Sequence, residues 1–403
     1  MSSERVLFVN PGTELGGAEQ SLLLLLQGLR THGVESGVAL FGDGPFRAGL
    51  SGLGIPAVNL AVPSFVRKAG RYTSPHGAGC LTTAALVATA LPAASRLAAL
   101  ARRMKATLIH TNGMKAHLLG GLAGRMTGIP VVWHLRDFPP DGLRGRLFRG
   151  AARRLPALVL VNSEAVGGAI RATPGGRPRV RRLYNPVDLS RFHPATPRGR
   201  IRGELGLSGA APLVGLIAHL TPWKGHELFL TIARAVADMH PPARFIVVGG
   251  PIYGTNGHQG YLDRLRARAA ALGLSDRVAF LGARSDVPEI LADVDVLVHC
   301  PTAPEPFGRA VAEAMAAGRP VVAARCGGIP EIIEDGAAGL LVEPGDAKGF
   351  AAAVAALLDN ADRRARLGAA GRRRAETLFQ MGTHTAAVLE AYRTVMDRAG
   401  ARS

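Results

Sequence analysis

The sequence predicts an α/β protein of two domains, each built on a parallel sheet, and three observations carry that prediction. At 403 residues the chain is long enough for two hydrophobic cores. Short β-branched or Leu-rich runs alternate with Ala- and Arg-rich stretches of helical composition, the pattern of strand–helix–strand units. Several runs are apolar at every position, as strands covered by helices on both faces should be. Hydrophobic residues make up 47% and charged residues 19%, a balance that predicts order throughout.

In chain order, the first half offers strands at 6–10 (VLFVN), 37–41 (GVALF), 107–112 (TLIHTN), 131–135 (VVWHL) and 158–163 (LVLVNS). The second half offers them at 213–220 (LVGLIAHL), 244–250 (RFIVVGG), 277–282 (RVAFLG), 296–301 (VLVHCP), 320–325 (PVVAAR) and 339–345 (GLLVEPG). Between the two series NPVDLSRFHPATPRGR (185–200) is dense in Pro and Arg and has no period. The expected division is a first domain over 1–188, a linker over 189–200 and a second domain over 201–375. A terminal helical segment over 376–403 is long enough to cross back onto the first domain.

Three cysteines, Cys80, Cys300 and Cys326, are widely spaced and form neither a metal-ligand pattern nor a disulfide framework. MSSERVLFVN has Glu and Arg where a signal peptide needs a continuous apolar run, so it reads as a first buried strand. Both features point to a reducing cytoplasm. Gly77 to Ser95 carries no charge, but its Gly, Ala, Thr and Pro92 predict poor membrane insertion, and a buried or groove-lining helix is the better reading. The net charge of +18 is uneven: residues 1–190 hold 23 of the 48 Lys/Arg and only 9 of the 30 Asp/Glu. A basic half suits nucleic acid, acidic lipid or a phosphorylated substrate, and an Arg-rich composition alone also inflates it. Aromatics are only 5% and no binding motif appears, which counts against nucleic acid. A dinucleotide-dependent oxidoreductase should carry G-x-G-x-x-G with an acidic residue beyond it, and no such block is present.

The chemistry concentrates in CPTAPEPFGRAVAEAMAAGRPVVAARCGGIPEIIEDG. Glu305 follows an expected strand, and Pro306, Phe307 and Gly308 suit a tight turn. AVAEAMAAG (310–318) has helix-forming composition with Gly318 as a stop signal. A helix start beside Phe307–Arg309 offers amides and a positive dipole to phosphate. Glu305 and Glu313 stand about 12 Å apart along a helical path. Glycosidase carboxylates stand about 5–9.5 Å apart across one bond, so this pair instead brackets an extended ligand, polyol at each end and phosphate between. A sugar–diphosphate–ribose has that shape; a surface helix with two solvated glutamates is the bland alternative.

EPFGRAVAEAMAAGRPVV with CGGIPEIIEDGAAGLLVEPGD resembles the donor-site signature of retaining glycosyltransferase family 4, and the resemblance covers nearly the whole chain. It implies the GT-B fold, two Rossmann-like domains facing across a cleft, and a nucleotide-sugar donor without a further cofactor. In that family the residue matching Glu305 contacts the sugar hydroxyls and the one matching Glu313 the ribose. Amides at Phe307, Gly308 and Arg309 face the sugar and diphosphate, and GGIPE (327–331) matches the loop that follows, with packing as its main role. HLTPWKGHE (219–227) is a second matching block, in which Lys224 meets the leaving phosphate as a point charge. The family's usual Arg is replaced by His219. Either a diphosphate raises the pKa of this histidine, or Lys224 carries the load with another Arg; a hydrogen-bonded strand-end histidine is the structural alternative.

NPGTELGGAEQSL resembles the family's GGAE loop, in which Gly16 and Gly17 let backbone approach an anion before a helix. His134 in VVWHLRDF ends a strand, is expected to project toward the cleft, and matches the family's active-site histidine near the transferred sugar. Arg136 and Asp137 follow on the same loop as candidate acceptor contacts, Asp137 fitting a helix-cap role equally well. Asn112, at the end of IHTN beside His110, is a candidate acceptor-side residue. Asp293-Val294-Asp295 spells the D-x-D of metal-dependent transferases of another fold, yet it bridges a helix end and a strand, and no metal is expected.

The expected reaction is transfer of a hexose-type sugar from a nucleotide-diphospho-sugar to an acceptor hydroxyl, in envelope polysaccharide, glycolipid or natural-product glycosylation. A same-fold epimerase or phosphorylase is the alternative. The acceptor is a glycan, a lipid-linked molecule or a small molecule. RGRLFRGAARR (144–154), with Arg67, Lys68 and Arg71, suits peripheral contact with an acidic inner-membrane surface.

Overall fold

The computed structural model describes residues 4–62, 80–172, 178–251 and 260–401, with backbone only over 80–89. Arg67, Lys68, Arg71 and the start of the uncharged segment lie outside the described residues. The chain divides into two compact units, Met1–Pro186 with Met381–Ser403, and Val187–Gln380.

The first unit holds β1 (Arg5–Asn10), β2 (Glu35–Leu40), β3 (Ala57–Asn59), β4 (Leu108–Asn112), β5 (Val131–Leu135), β6 (Leu158–Val161) and β7 (Val180–Arg182). They form one parallel sheet in the order β3-β2-β1-β4-β5-β6-β7. Its helices are α1 (Gly17–Thr31), α2 (Pro45–Gly52), α3 (Cys80–Arg103), α4 (Met114–Thr127), α5 (Gly142–Ala152) and α6 (Glu164–Arg171). The second unit holds β8 (Leu213–Ile217), β9 (Arg244–Val248), β10 (Val278–Gly282), β11 (Val296–His299), β12 (Val321–Ala324) and β13 (Leu340–Val342), parallel in the order β10-β9-β8-β11-β12-β13. Its helices are α7 (Arg200–Glu204), α8 (His226–Met239), α9 (Tyr261–Ala271), α10 (Val287–Asp293), α11 (Arg309–Ala316), α12 (Ile329–Ile332), α13 (Ala347–Leu358) and α14 (Ala361–Leu378). The chain then returns to the first unit as α15 (Met381–Gly400).

Both sheets have the doubly wound order in which the chain reverses direction beside its first strand, at β1/β4 and at β8/β11. Loops that leave the carboxyl ends of those neighbours diverge to opposite faces and open a crevice there. In the first sheet, strand alternation assigns Leu108, Val132 and Leu160 to the face covered by α1, α2 and α15, and Ile109, Val131 and Trp133 to the face covered by α3 to α6. Eleven of these thirteen strands coincide with expected runs. The two others, AVN at β3 and VRR at β7, are three-residue edge strands with no apolar run to mark them.

Residues 189–200 are not a linker. Arg191 Nη2 donates to Ser285 O at 2.5 Å, Arg372 Nη1 to Phe192 O at 2.8 Å, and Arg198 Nη2 lies 2.8 Å from Asp295 Oδ1. Arginine side chains tie this aperiodic backbone into the second unit, so the breaks fall at Pro186 and Gln380 instead of Asp188 and Ala375. The helix at Cys80 continues through Pro92, whose exposed position leaves the bypassed helix hydrogen bond on the watery side. Among the described residues no helix is long and apolar enough to cross a membrane.

Candidate functional site

In the second unit the site assembles at the β8/β11 reversal. After β8 the chain passes His219 and makes a single 3-10 turn, Pro222–Lys224, closed by Gly225 at φ +78. A Cβ on Gly225 would lie 1.8 Å from Cys300 O, so only glycine lets this turn sit against the end of β11. Lys224 Nζ reaches Glu305 Oε2 at 2.5 Å and lies 4.0 Å from the centre of the Trp223 ring. His299, the last residue of β11, places Nε2 3.4 Å from the same carboxylate oxygen. Burial alone would raise the Glu305 carboxyl, but the Lys224 ammonium, together with His299, holds it well below the usual carboxylate range. Glu305 is therefore an ionised, acceptor-only group suited to hydroxyl donors.

Glu313 has the opposite character. Burial raises its carboxyl, and Arg309, whose Nε lies 2.7 Å from Oε1, only partly opposes the shift. The helical path between the two glutamates begins at Arg309, so the stretch from Glu305 to Gly308 is a loop, not helix. Gly308 caps α11 at φ +93, and a Cβ there would lie 2.3 Å from Ile329 Cδ1. Phe307 packs its ring edge-on to Phe379 at 5.6 Å, so its side chain belongs to the core and only its backbone can meet a ligand. His219 is pushed down to about 4 by burial and then by Lys224, with Glu305 opposing. Burial and Lys224 thus favour its neutral form at neutral pH.

Asp293 and Asp295 are engaged at the opposite end of the strands, just before β11. Asp293 accepts from the amides of Gly199, Ile201 and Arg202 at 2.5, 2.7 and 3.1 Å, capping α7. Asp295 accepts from Arg198, Arg202 and the Leu213 amide at 2.8, 2.6 and 2.9 Å. These bonds account for both acids as structural groups.

In the first unit a polar cluster occupies the β1/β4 reversal and the ends of β4 and β5. Asn112 Nδ2 donates to Asn10 Oδ1 at 2.6 Å, and Arg136 Nε donates to Asn112 Oδ1 at 2.7 Å. Arg136 also donates to Asn185 Oδ1. Arg136 is 7% exposed, so it acts as a tie within the unit more than as an outward contact. Asp137 is half-buried on the same loop. His134 is fully buried. Its strand position falls on the face covered by α15, where its ring lies 5.3 Å from His110 and 6.2 Å from His384. His110 Nδ1 meets Tyr392 Oη at 2.6 Å, and His384 Nδ1 meets Tyr184 O at 2.8 Å. On the opposite face His117 stacks on Trp133 at 5.2 Å. Gly16 caps α1 at φ −78, a conformation open to any residue, and Gly17 begins the helix.

His299, His384, Tyr392, Asn10 and Asn185 were not singled out from the sequence. A polar residue inside an apolar run, as in VLVHC, marks His299. The eight-residue spacing of His384 and Tyr392 puts both on one helix face.

Burial and then Arg136 hold His110, His134 and His384 below the ordinary histidine value, and burial alone does so for His117, with His117 and His384 near 3. The unfolded chain takes up these protons near 6.5, so the native state keeps its full stability above that pH and loses it as pH falls toward the native values. The thermal midpoint is expected to drop between neutral and mildly acidic pH, as stability falls by about 1.4 kcal/mol per pH unit for each such histidine. A melting curve series at constant salt checks this; a flat profile would contradict the buried neutral cluster.

Residues 197–374 match the family model "Glycosyl transferases group 1", and residues 15–191 match "Glycosyltransferase Family 4". The D-inositol 3-phosphate glycosyltransferase of Streptomyces scabiei is 31% identical over 309 residues, 72% of this chain and 68% of that protein. Spore coat protein SA of Bacillus subtilis is 30% identical over 233 residues, 55% of this chain and 61% of that protein. Across the first curated relatives the chain spans between 40% and 68% of their length. The crystal structure of Anabaena Alr3699/HepE in complex with UDP-glucose superposes with a TM-score of 0.80 at 29% identity, covering 97% of this chain and 99% of that one.

Proposed function

This chain belongs to the group 1 glycosyltransferases of glycosyltransferase family 4, and from that premise we propose that it transfers a hexose-type sugar from a nucleotide-diphospho-sugar to an acceptor hydroxyl with retention at the anomeric carbon. The observation that carries the proposal is the buried Lys224–Glu305 pair at the β8/β11 reversal, beside a glycine-opened helix start. Lys224 meets the diphosphate, Glu305 accepts from the sugar hydroxyls and Glu313 from the ribose. Because His219 is neutral, Lys224, backbone amides and the dipole of α11 balance the leaving charge, with no divalent ion required.

As the bond from the anomeric carbon to phosphate oxygen breaks, positive charge grows on the sugar and negative charge on the nucleoside diphosphate. The acceptor hydroxyl attacks the same carbon from the face the diphosphate leaves, and a departing phosphate oxygen takes its proton. Positioning and preorganised positive charge supply the rate enhancement. UDP-glucose bound to the Anabaena relative makes a UDP-sugar the first donor to test.

A thermal-shift and hydrolysis screen across UDP-, GDP-, ADP- and dTDP-sugars is expected to single out UDP donors, with activity retained in EDTA. No response to any nucleotide sugar would reject the reading. NMR of the product from a donor of known anomer is expected to show the same anomer; inversion would remove the retaining mechanism alone.

A further inference from the structure

Helix α5 presents an apolar stripe where a surface helix is ordinarily polar. Gly145, Phe148 and Ala152 face the core of the first unit. Half a turn around, Leu143 and Leu147 are 69% and 61% exposed, the two most exposed large hydrophobic residues among those described. They stand one helical turn apart and point away from the protein. Arg144 flanks them on one side, Arg146 and Arg153 on the other, and Arg154 ends the same stripe, with no acidic residue from Gly142 to Arg154.

The helix is held rigidly in this pose. Gly142 takes φ +64, and a Cβ on Gly145 would lie 1.9 Å from Pro140 O, so the first turn sits directly on the preceding loop. Arg125 Nη2 donates to Arg154 O at 2.9 Å and brings a further cation to the end of the helix.

We propose that α5 docks the protein on an anionic lipid surface, Leu143 and Leu147 entering the headgroup boundary while Arg144, Arg146 and Arg154 meet lipid phosphates. A nucleic-acid phosphate would match the arginines but leave both leucines in water. An anionic bilayer accommodates both, because leucine side chains leave water there and flanking arginines stay at the charged interface. The proposal rests on the glycosyl-transfer reading, and it narrows the acceptor to one carried in or on a membrane.

The test is flotation of the full chain with phosphatidylcholine vesicles, with and without phosphatidylglycerol. Binding is expected only with the anionic lipid and should weaken as salt rises. Leu143→Ser with Leu147→Ser should cut the bound fraction at least about tenfold without changing the melting temperature. Arg144→Gln with Arg146→Gln should weaken binding and flatten its salt dependence. Failure of the parent protein to float at low salt, equal flotation of the leucine variant, or lipid-free self-association that the leucine changes abolish would each overturn the proposal. Thermal shift with UDP in the same samples separates the two readings. A protein that responds to UDP without floating rejects the docking helix alone; one that floats without responding to any nucleotide rejects the donor reading.

Discussion

Lys224→Ala is expected to reduce turnover of a nucleotide sugar by about 10²- to 10³-fold, the range seen when one preorganised charge-stabilising group is removed. The site holds a specific reason for an effect this large. His219, standing where a second cation would stand by the family resemblance, is held near 4 by burial and then by Lys224, so it adds no charge of its own at neutral pH. The same change leaves Glu305 buried without its ammonium, a loss that typically costs about 3–5 kcal/mol.

The pH dependence separates this from a loss of packing. In the parent protein the Glu305 carboxyl lies below its unfolded value, because Lys224 and His299 together outweigh the burial that would raise it. That contribution to stability is full above about 4.3 and is lost as pH falls below it. Without Lys224 only His299 opposes burial, and the carboxyl rises from its position in the parent. The stability that this group adds as pH rises through about 4.3 then shrinks. Melting temperatures of the two proteins across the acidic range should diverge with increasing pH. Parallel profiles, or full turnover in the variant, would contradict the role given to Lys224.

Gly327→Ala is expected to abolish most donor binding although its side chain is only a methyl group. Gly327 has φ +58, and a Cβ there would lie 2.0 Å from Glu305 O and 2.7 Å from Glu305 N. Backbone cannot give way as a flexible side chain does, and Gly328 N donates to the same Glu305 O at 2.8 Å. The loop must part, taking Glu305 away from Lys224 and His299. A displacement of about 1 Å at a reacting site is enough for a 10²-fold loss in rate. Gly336→Ala is the control, because Gly336 has φ +77 but nothing within 4 Å of its Cβ position. Both changes strain the backbone, by about 1–3 kcal/mol, so donor affinity lost only at Gly327 isolates the contact with Glu305. Equal affinities would show that Glu305 tolerates displacement.

Both experiments concern contacts that a local reading cannot supply. Lys224 and Glu305 were legible as separate motif positions, but their pairing depends on β8 and β11 lying side by side. Gly327 sits in GGIPE, a loop expected mainly to pack, and its importance comes from where Glu305 passes. In the first unit, His110 and His134 were visible as polar residues in apolar strands. That α15 returns to cover them with His384 and Tyr392 was recorded in no nearby residue.

The sequence by itself determined two parallel α/β units and the turn–helix start at Gly308, because strand period, helix composition and glycine stops act over a few residues. It also determined the family, since Glu305, Glu313 and Lys224 stand in motifs of fixed local spacing. Tertiary structure decided that His134 is enclosed, that residues 189–200 belong to the second unit, and that Glu305 is ionised while burial pushes Glu313 toward protonation. Those outcomes follow from burial and from the charge of neighbours distant in the chain, and a carboxylate or imidazole has no fixed state until the fold supplies them.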